Sequence, residues 1–423
     1  MLRAIACPPW EFKRWEITPS GGSMQTSTAN PLFVTMDTDV AVHAVYGPDE
    51  DADIAPYIDD PALEQAIRVA VGSFGGPLYW SEVLDGKLTS LTASGLGISH
   101  LDGLELLVEL VTLDLYDNEI ADIEEVSMLT SLEELDLGRN SITDLSPLAP
   151  LVNLTAVELG CGNILTRGIA PIPGQSNQIV DVSPLADLTQ LTFLGLSGND
   201  ITDVSPLADL ENLQYLALSG NPATDFSPLY GLQDLVLLGL GDLGLNDTQM
   251  TSLLSNWPDL MGVDVSWNNL TSLSCVSSCT GLQLILAHGN FSLASIAALS
   301  NTPDLQVLLA ASCQITSADA LAGVAESENT FYLQDNQISG LSALAAATFT
   351  DSYVDLTGNP LTQDDVCTHI PVLEARDNQV DHDAFCGPSY SLGTAVSPAD
   401  SGAVSPFTGT RAVAQNSTVQ LEA

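Results

Sequence analysis

The side chains that could do chemistry are five histidines (His43, His100, His288, His369, His382), seven cysteines and a large stock of acids. The histidines are scattered, none has a nucleophile at a recognisable spacing, and the chain has no Gly-x-Ser-x-Gly elbow for an oxyanion hole to serve. No catalytic set is expected, and the chain is read as a non-enzyme. The cysteines form no Cys-x-x-Cys pairs and have no histidine partners at zinc spacing, so neither a metal nor a cofactor is expected. Asp49-Glu50-Asp51-Ala52-Asp53, with Asp60 in the twelfth place, mimics half of a calcium loop. Ile54 stands where such a loop needs glycine, so residues 48–55 read as a solvated acidic linker.

The charge narrows the partners. Of the 423 residues, 54 are Asp or Glu and 9 are Lys or Arg, a formal net charge of −45. Such a surface repels phosphate backbones and anionic lipids, so nucleic-acid binding is not expected. No apolar run reaches the length of a membrane span. With 45% hydrophobic residues and mean hydropathy +0.22 the chain can still bury a core. The apolar stretch Met1–Cys7 before Pro8-Pro9 is too short for a secretion signal.

The elements that must position any binding residues come from a repeat. Leu110-x-x-Leu113-x-Leu115-x-x-Asn118-x-Ile120 is followed by Leu132, Leu135, Leu137, Asn140, Ile142, and the frame returns at Leu191–Ile201 and from Leu213 to Asn221. Asn268, Asn290, Cys313, Asn336, Asn359 and Asn378 hold the polar slot further on; with Leu96, Asn177 and Leu243 this gives about thirteen units over residues 87–388. Alternate leucines predict one short strand per unit, and each asparagine can satisfy buried backbone groups of neighbouring coils. One unit cannot hide its leucine face, so the units must stack. An insertion near 160–176 delays one asparagine and reads as a loop, either a surface excursion or a partner contact.

After the asparagines the sequence narrows to Asp144-Leu-Ser-Pro-Leu148, Asp181-Val-Ser-Pro-Leu185, Asp203-Val-Ser-Pro-Leu207 and Asp225-Phe-Ser-Pro-Leu229. With the 22-residue period this resembles the internalin-like bacterial leucine-rich repeat surface proteins. The resemblance implies an α/β, β-rich leucine-rich repeat solenoid, a right-handed horseshoe with short 3₁₀ turns on its convex side. Residues 56–86 look like the helical N-terminal cap of that family, with Asp60 as N-cap, Pro61 at N1 and Leu63, Ala66, Ile67 and Ala70 as the buried face. Residues 1–47 and 389–423 resemble the C-terminal and N-terminal parts of B-repeat-like β modules. The chain is therefore expected to be a segment of a longer protein of alternating modules; the alternative is a complete protein with degenerate tails. Taken literally the start of the chain reads as cytoplasmic; with both ends cut, the missing export signal carries no weight, and the chain is expected to be extracellular or at the cell surface.

Two residue sets remain. Cys367 and Cys386 each lie eight residues after an asparagine, which in a stack brings them within disulfide reach; two buried thiols are the alternative. Cys275 and Cys279 could pair if their turn is helical. On the concave sheet the exposed columns run acidic first (Asp114, Asp136, Glu158) and then apolar (Phe193, Tyr215, Leu237), with Tyr116 and Trp267 expected on the same side. These residues are the candidate contact set for a protein ligand, a glycan being the other class. The competing readings are a rigid spacer in a multi-module stalk and an accessory array of a larger secreted enzyme.

Overall fold

A computed structural model of the protein describes residues 10–19, 25–27, 40–48, 52–161, 176–324, 327–384, 386, 389–394 and 409–414. The insertion over 162–175, the acids at 49–51 and Cys7 lie outside the described residues. The chain forms two compact units, one of residues 1–213 with 227–232, the other of residues 214–226 with 233–423.

The first unit opens with an antiparallel sheet of β1 (Trp10–Pro19), β2 (Gln25–Ser27) and β3 (Val40–Pro48) in the order β2-β1-β3. Helix α1 (Pro61–Val71) follows, with the Asp60 carboxylate accepting from the amides of Ala62 and Leu63. Leu63, Ala66 and Ile67 are buried, whereas Ala70, expected on that face, is exposed because the helix leaves the core in its last turn, before Gly72 ends it at φ 75°. The other Asp60 oxygen accepts from the amides of Ser99 and His100, so one side chain joins the cap to the first coil.

Five three-residue strands come next in this unit, Ser90–Thr92, Thr112–Asp114, Glu134–Asp136, Ala156–Glu158 and Phe193–Gly195, paired in parallel and in sequence order. Their central residues Leu91, Leu113, Leu135, Val157 and Leu194 are all at most 2% exposed, so alternation alone sets which face is the core. Opposite the strands, 3₁₀ turns form at Ser146–Leu148, Ser183–Leu185 and Ser205–Leu207. Proline sets φ there, Asp144, Asp181 and Asp203 accept from the following serine amides, and Leu148, Leu185 and Leu207 point inward.

The second unit carries eight such strands: Tyr215–Ala217, Leu237–Gly239, Gly262–Asp264, Leu284–Leu286, Val307–Leu309, Thr330–Tyr332, Tyr353–Asp355 and Gln379–Asp381. The 25-residue interval between Leu243 and Asn268 has a physical reason. It holds α2 (Asp247–Leu254), a true α-helix whose Asn246 cap pairs with Gln249 in a capping box. Strands Ser389–Thr394 and Gly409–Ala414 pair antiparallel near the end of the chain.

The asparagines bond as the repeat requires. Asn140 donates to the carbonyls of Leu115 and Leu137 and accepts from the Ile120 amide; Asn268, Asn290, Asn336 and Asn359 make the equivalent bonds in the second unit. Asn177, late by the insertion, still joins the carbonyls of Leu137 and Leu159. Asn378 does not continue the series. It precedes its strand instead of following it, and it joins the Ser352 amide to the carbonyls of Phe349 and Leu373. Asn378, expected in the polar slot 19 residues after Asn359, thus stands in a different position of the coil, the one that Asn329 and Ser352 hold earlier.

Candidate binding surface on the sheet face

On the first unit the outward strand residues enclose an open groove of about 710 Å³, lined among others by Asp114, Glu134, Asp136, Glu158 and Phe193. Its acids are not loose. Asp114 accepts from the Tyr116 amide, Asp136 from Gly138 and Glu158 from Gly160, each at 2.8–3.0 Å and each two residues along its own chain. Each bond closes a local ring onto the residue's own backbone, and Asp114 accepts in addition from Ser94 Oγ at 2.6 Å. Glu134, in the other column, is exposed, and Phe193 is half-buried.

Several expected contact residues lie covered. Glu158 is 6% exposed because it folds over Gly195, where an added Cβ would stand 2.2 Å from Oε2. Tyr116 is 6% exposed: it lies across Gly138, donates to the Cys161 carbonyl at 3.3 Å and has the Arg139 guanidinium 5.8 Å above its ring. Tyr215, in the second unit, is 4% exposed. The sequence placed all three on the open face. Alternation assigns the face, but Glu158 and Tyr116, each beside a glycine one coil further on, lie down into the space that glycine leaves.

The second unit repeats the device. Leu237, half-buried, covers Gly262, and the Asp264 carboxylate occupies the space beside Gly241. Further along, the rings of Tyr332 and Tyr353 stand 5.3 Å apart, and the Tyr353 hydroxyl donates to Asp381 at 2.8 Å. That carboxylate pushes the Tyr353 phenol up to about 12. Trp267 remains 42% exposed, and sequence reasoning gave no reason to single out its neighbours Gly289 and Phe291.

Cys367 and Cys386 are brought together in a disulfide with their Cα atoms 4.9 Å apart. They do not repeat one coil position: Cys367 lies in the helical turn Asp365–His369, and Cys386 follows the strand Gln379–Asp381. Cys275, Cys279 and Cys313 are buried thiols, so Cys275 and Cys279 do not pair, and Cys161 is buried as well. Burial pushes the Cys275 thiol up to about 12 and the Cys313 thiol up to about 11, far from the range of a working nucleophile. Beneath Cys367, the buried Asp365 takes the Leu341 amide, the Thr362 amide and hydroxyl, and His369 Nδ1 at 3.0 Å. Among the described residues no group of three His, Cys, Asp or Glu is placed to hold a metal ion, and no helix is long and apolar enough to cross a membrane.

Residues 108–150 and 189–231 match the family described as Leucine Rich repeats (2 copies). No curated protein matches the sequence. Among solved structures the chain is similar to an internalin, InlF, from Listeria monocytogenes, at 24% identity and TM-score 0.58, over 79% of this chain and 98% of that one. It is also similar to internalin C2 of the same organism, at 29% identity and TM-score 0.48, over 56% and 98%. The fold is a leucine-rich repeat array like that of the internalin.

Proposed function

From the internalin-like leucine-rich repeat fold as premise, we propose that this chain is a non-enzymatic recognition region that holds a protein ligand on its sheet face, outside the cell. The observation that carries this reading is the groove of the first unit. Asp114, Asp136 and Glu158 are fixed there by their own backbone, with Glu134 and the Phe193 ring beside them. Side chains already held in place lose little entropy when a partner docks, which is what a binding surface needs. The mixed lining suits a polypeptide that brings lysine or arginine together with an apolar residue. The Cys367–Cys386 bridge supports an oxidising compartment.

The test compares the wild-type chain with a Glu134→Lys, Phe193→Ala double variant as immobilised baits for extracellular proteins from a host surface. The expected result is a defined protein that the wild type retains and the variant loses by at least about tenfold, as removal of two central contacts would give. Identical retention by both baits, with unchanged circular dichroism, would reject the groove and leave the rigid-spacer reading in its place.

A further inference from the structure

Trp267 departs from the pattern of its own column. In the second unit the left-handed residue that precedes the asparagine turn is Gly220, Asp242, Gly289, Ser312, Asp335 or Gly358, all small or short. Trp267 adopts φ 55° at that place, where a bulky side chain is an outlier. The residue still leaves 42% of its surface exposed, the covered part packing on Gly289 of the next coil. Among Trp15, Trp80, Trp257 and Trp267 it alone is not buried. A strained position that leaves so much of an indole in solvent points to a side chain that serves something outside the core as well.

The surroundings form a defined shape. A Cβ on Gly289 would stand 2.5, 2.6 and 2.8 Å from Trp267 Cδ2, Cε3 and Cε2. Those atoms are the two fusion carbons of the indole and the benzo carbon beside them, so the glycine backbone lies against the flat of the ring, and the exposed area belongs to the remaining face and rim. Phe291, 65% exposed, stands 5.7 Å away at 73° and makes a wall. His288 meets the indole at 5.9 Å and 90°, and its Nδ1 is 3.0 Å from Ser266 Oγ.

The electrostatics around this corner have one sign. The chain has no Lys or Arg between Arg167 and Arg376. Asp242 holds the same slot one coil earlier, its amide bonded to the Ser266 carbonyl, and Asp264 accepts from the Ser266 amide directly beside Trp267. Burial holds His288 below its ordinary pKa, so the imidazole brings no competing positive charge at neutral pH. A ring face with a negative quadrupole in a negative field is a receptor for a cation, and tryptophan is the strongest such ring.

We propose that the Trp267–Phe291 corner is a docking site for an arginine or lysine side chain of a polypeptide partner, with the cation on the open indole face, Phe291 against its aliphatic stem, and Asp242 and Asp264 supplying the field. This reading shares with the proposed function only the assumption that the ligand is a polypeptide.

The test needs no partner. In the full chain labelled at its tryptophan indole nitrogens, the Trp267 resonance is assigned by its loss in Trp267→Phe. N-acetyl-arginine amide, the uncharged isostere N-acetyl-citrulline amide and methyl β-glucoside are then titrated. The expected result is a saturable shift with the arginine probe, binding roughly three- to tenfold tighter than citrulline, and a severalfold loss in Phe291→Ala. Equal response to arginine and citrulline would overturn the proposal, as would saturation by the glucoside in preference to arginine or no saturable shift with any probe. The groove is untouched in these experiments, so failure here and failure of the groove variants are read separately.

Discussion

A Cβ placed on Gly103 would stand 2.4 Å from the Tyr57 carbonyl oxygen, at a residue whose φ is 90°. Both the conformation and the space exclude a side chain, and the obstacle is backbone, which cannot swing away. At Gly195 the same construction meets only the tip of Glu158, the far end of a flexible side chain. The two substitutions should therefore part company. Gly103→Ala should cost about 2–4 kcal/mol, from the left-handed strain together with overpacking. Gly195→Ala should lift the Glu158 carboxylate out of its place at a cost of about 1 kcal/mol or less. Urea unfolding of the two variants decides it, and equal losses would show that Glu158 cannot move. This contrast also marks what the sequence shows of the surface. The strand period assigned Glu158, Tyr116 and Tyr215 to the outward side. It did not reveal that Glu158 and Tyr116 lie flat, since that depends on Gly195 and Gly138, one coil away in space. A search for glycine one repeat downstream of each large outward residue would have found both, and Trp267 over Gly289 as well.

Elements were more legible than surfaces because each is set by a few residues close in sequence. Leucine alternation placed twelve of the thirteen strands, and the Ser-Pro-Leu strings placed 3₁₀ turns such as Ser183–Leu185. The register of the last coil was misread because one asparagine looks like another: Asn359 bonds backward to Leu333 and Leu356, whereas Asn378 bonds to Phe349 and Leu373. Helix α1 was readable from Asp60-Pro61, but the tie from Asp60 to Ser99 and His100 is a contact across 39 and 40 residues and has no local signature. That tie gives a pH prediction. Burial raises the Asp60 pKa, yet the amides of Ser99, Ala62, Leu63 and His100 together outweigh it and hold the carboxyl below its ordinary value. A depressed carboxylate stabilises the folded chain above the unfolded value, about 3.9, and that contribution disappears as pH falls through the folded value. Asp60→Asn keeps an acceptor for the helix but has no proton to bind, so its melting temperature should fall less steeply than the wild type's below about pH 4. Parallel acid limbs for the two proteins would show that Asp60 is not part of the acid response.

At the scale of the whole molecule the charge sets the conditions under which either proposed binding surface would work. A net charge of −45 on 423 residues is self-repulsive, and its acids lie mostly on the linker, cap and repeats: of 54 Asp and Glu, 48 lie between residues 48 and 388. The fold answers with satisfied local acceptors, as at Asp144 and Asp181, which bond the amides of Ser146 and Ser183 but neutralise no charge. Repulsion between coils is therefore left to the solvent. Added salt shortens the Debye length from about 30 Å at 0.01 M to about 3 Å at 1 M, which is shorter than the spacing between neighbouring coils. Sodium chloride over that range should raise the melting temperature by several degrees, with most of the gain complete near 0.15 M, where screening already reaches about 8 Å. The same salt should weaken capture of a basic ligand by the first-unit groove, so stability and affinity should move in opposite directions. Melting and binding measured across one salt series test this directly. A melting temperature that stays flat would mean that the acids of successive coils are already screened from one another.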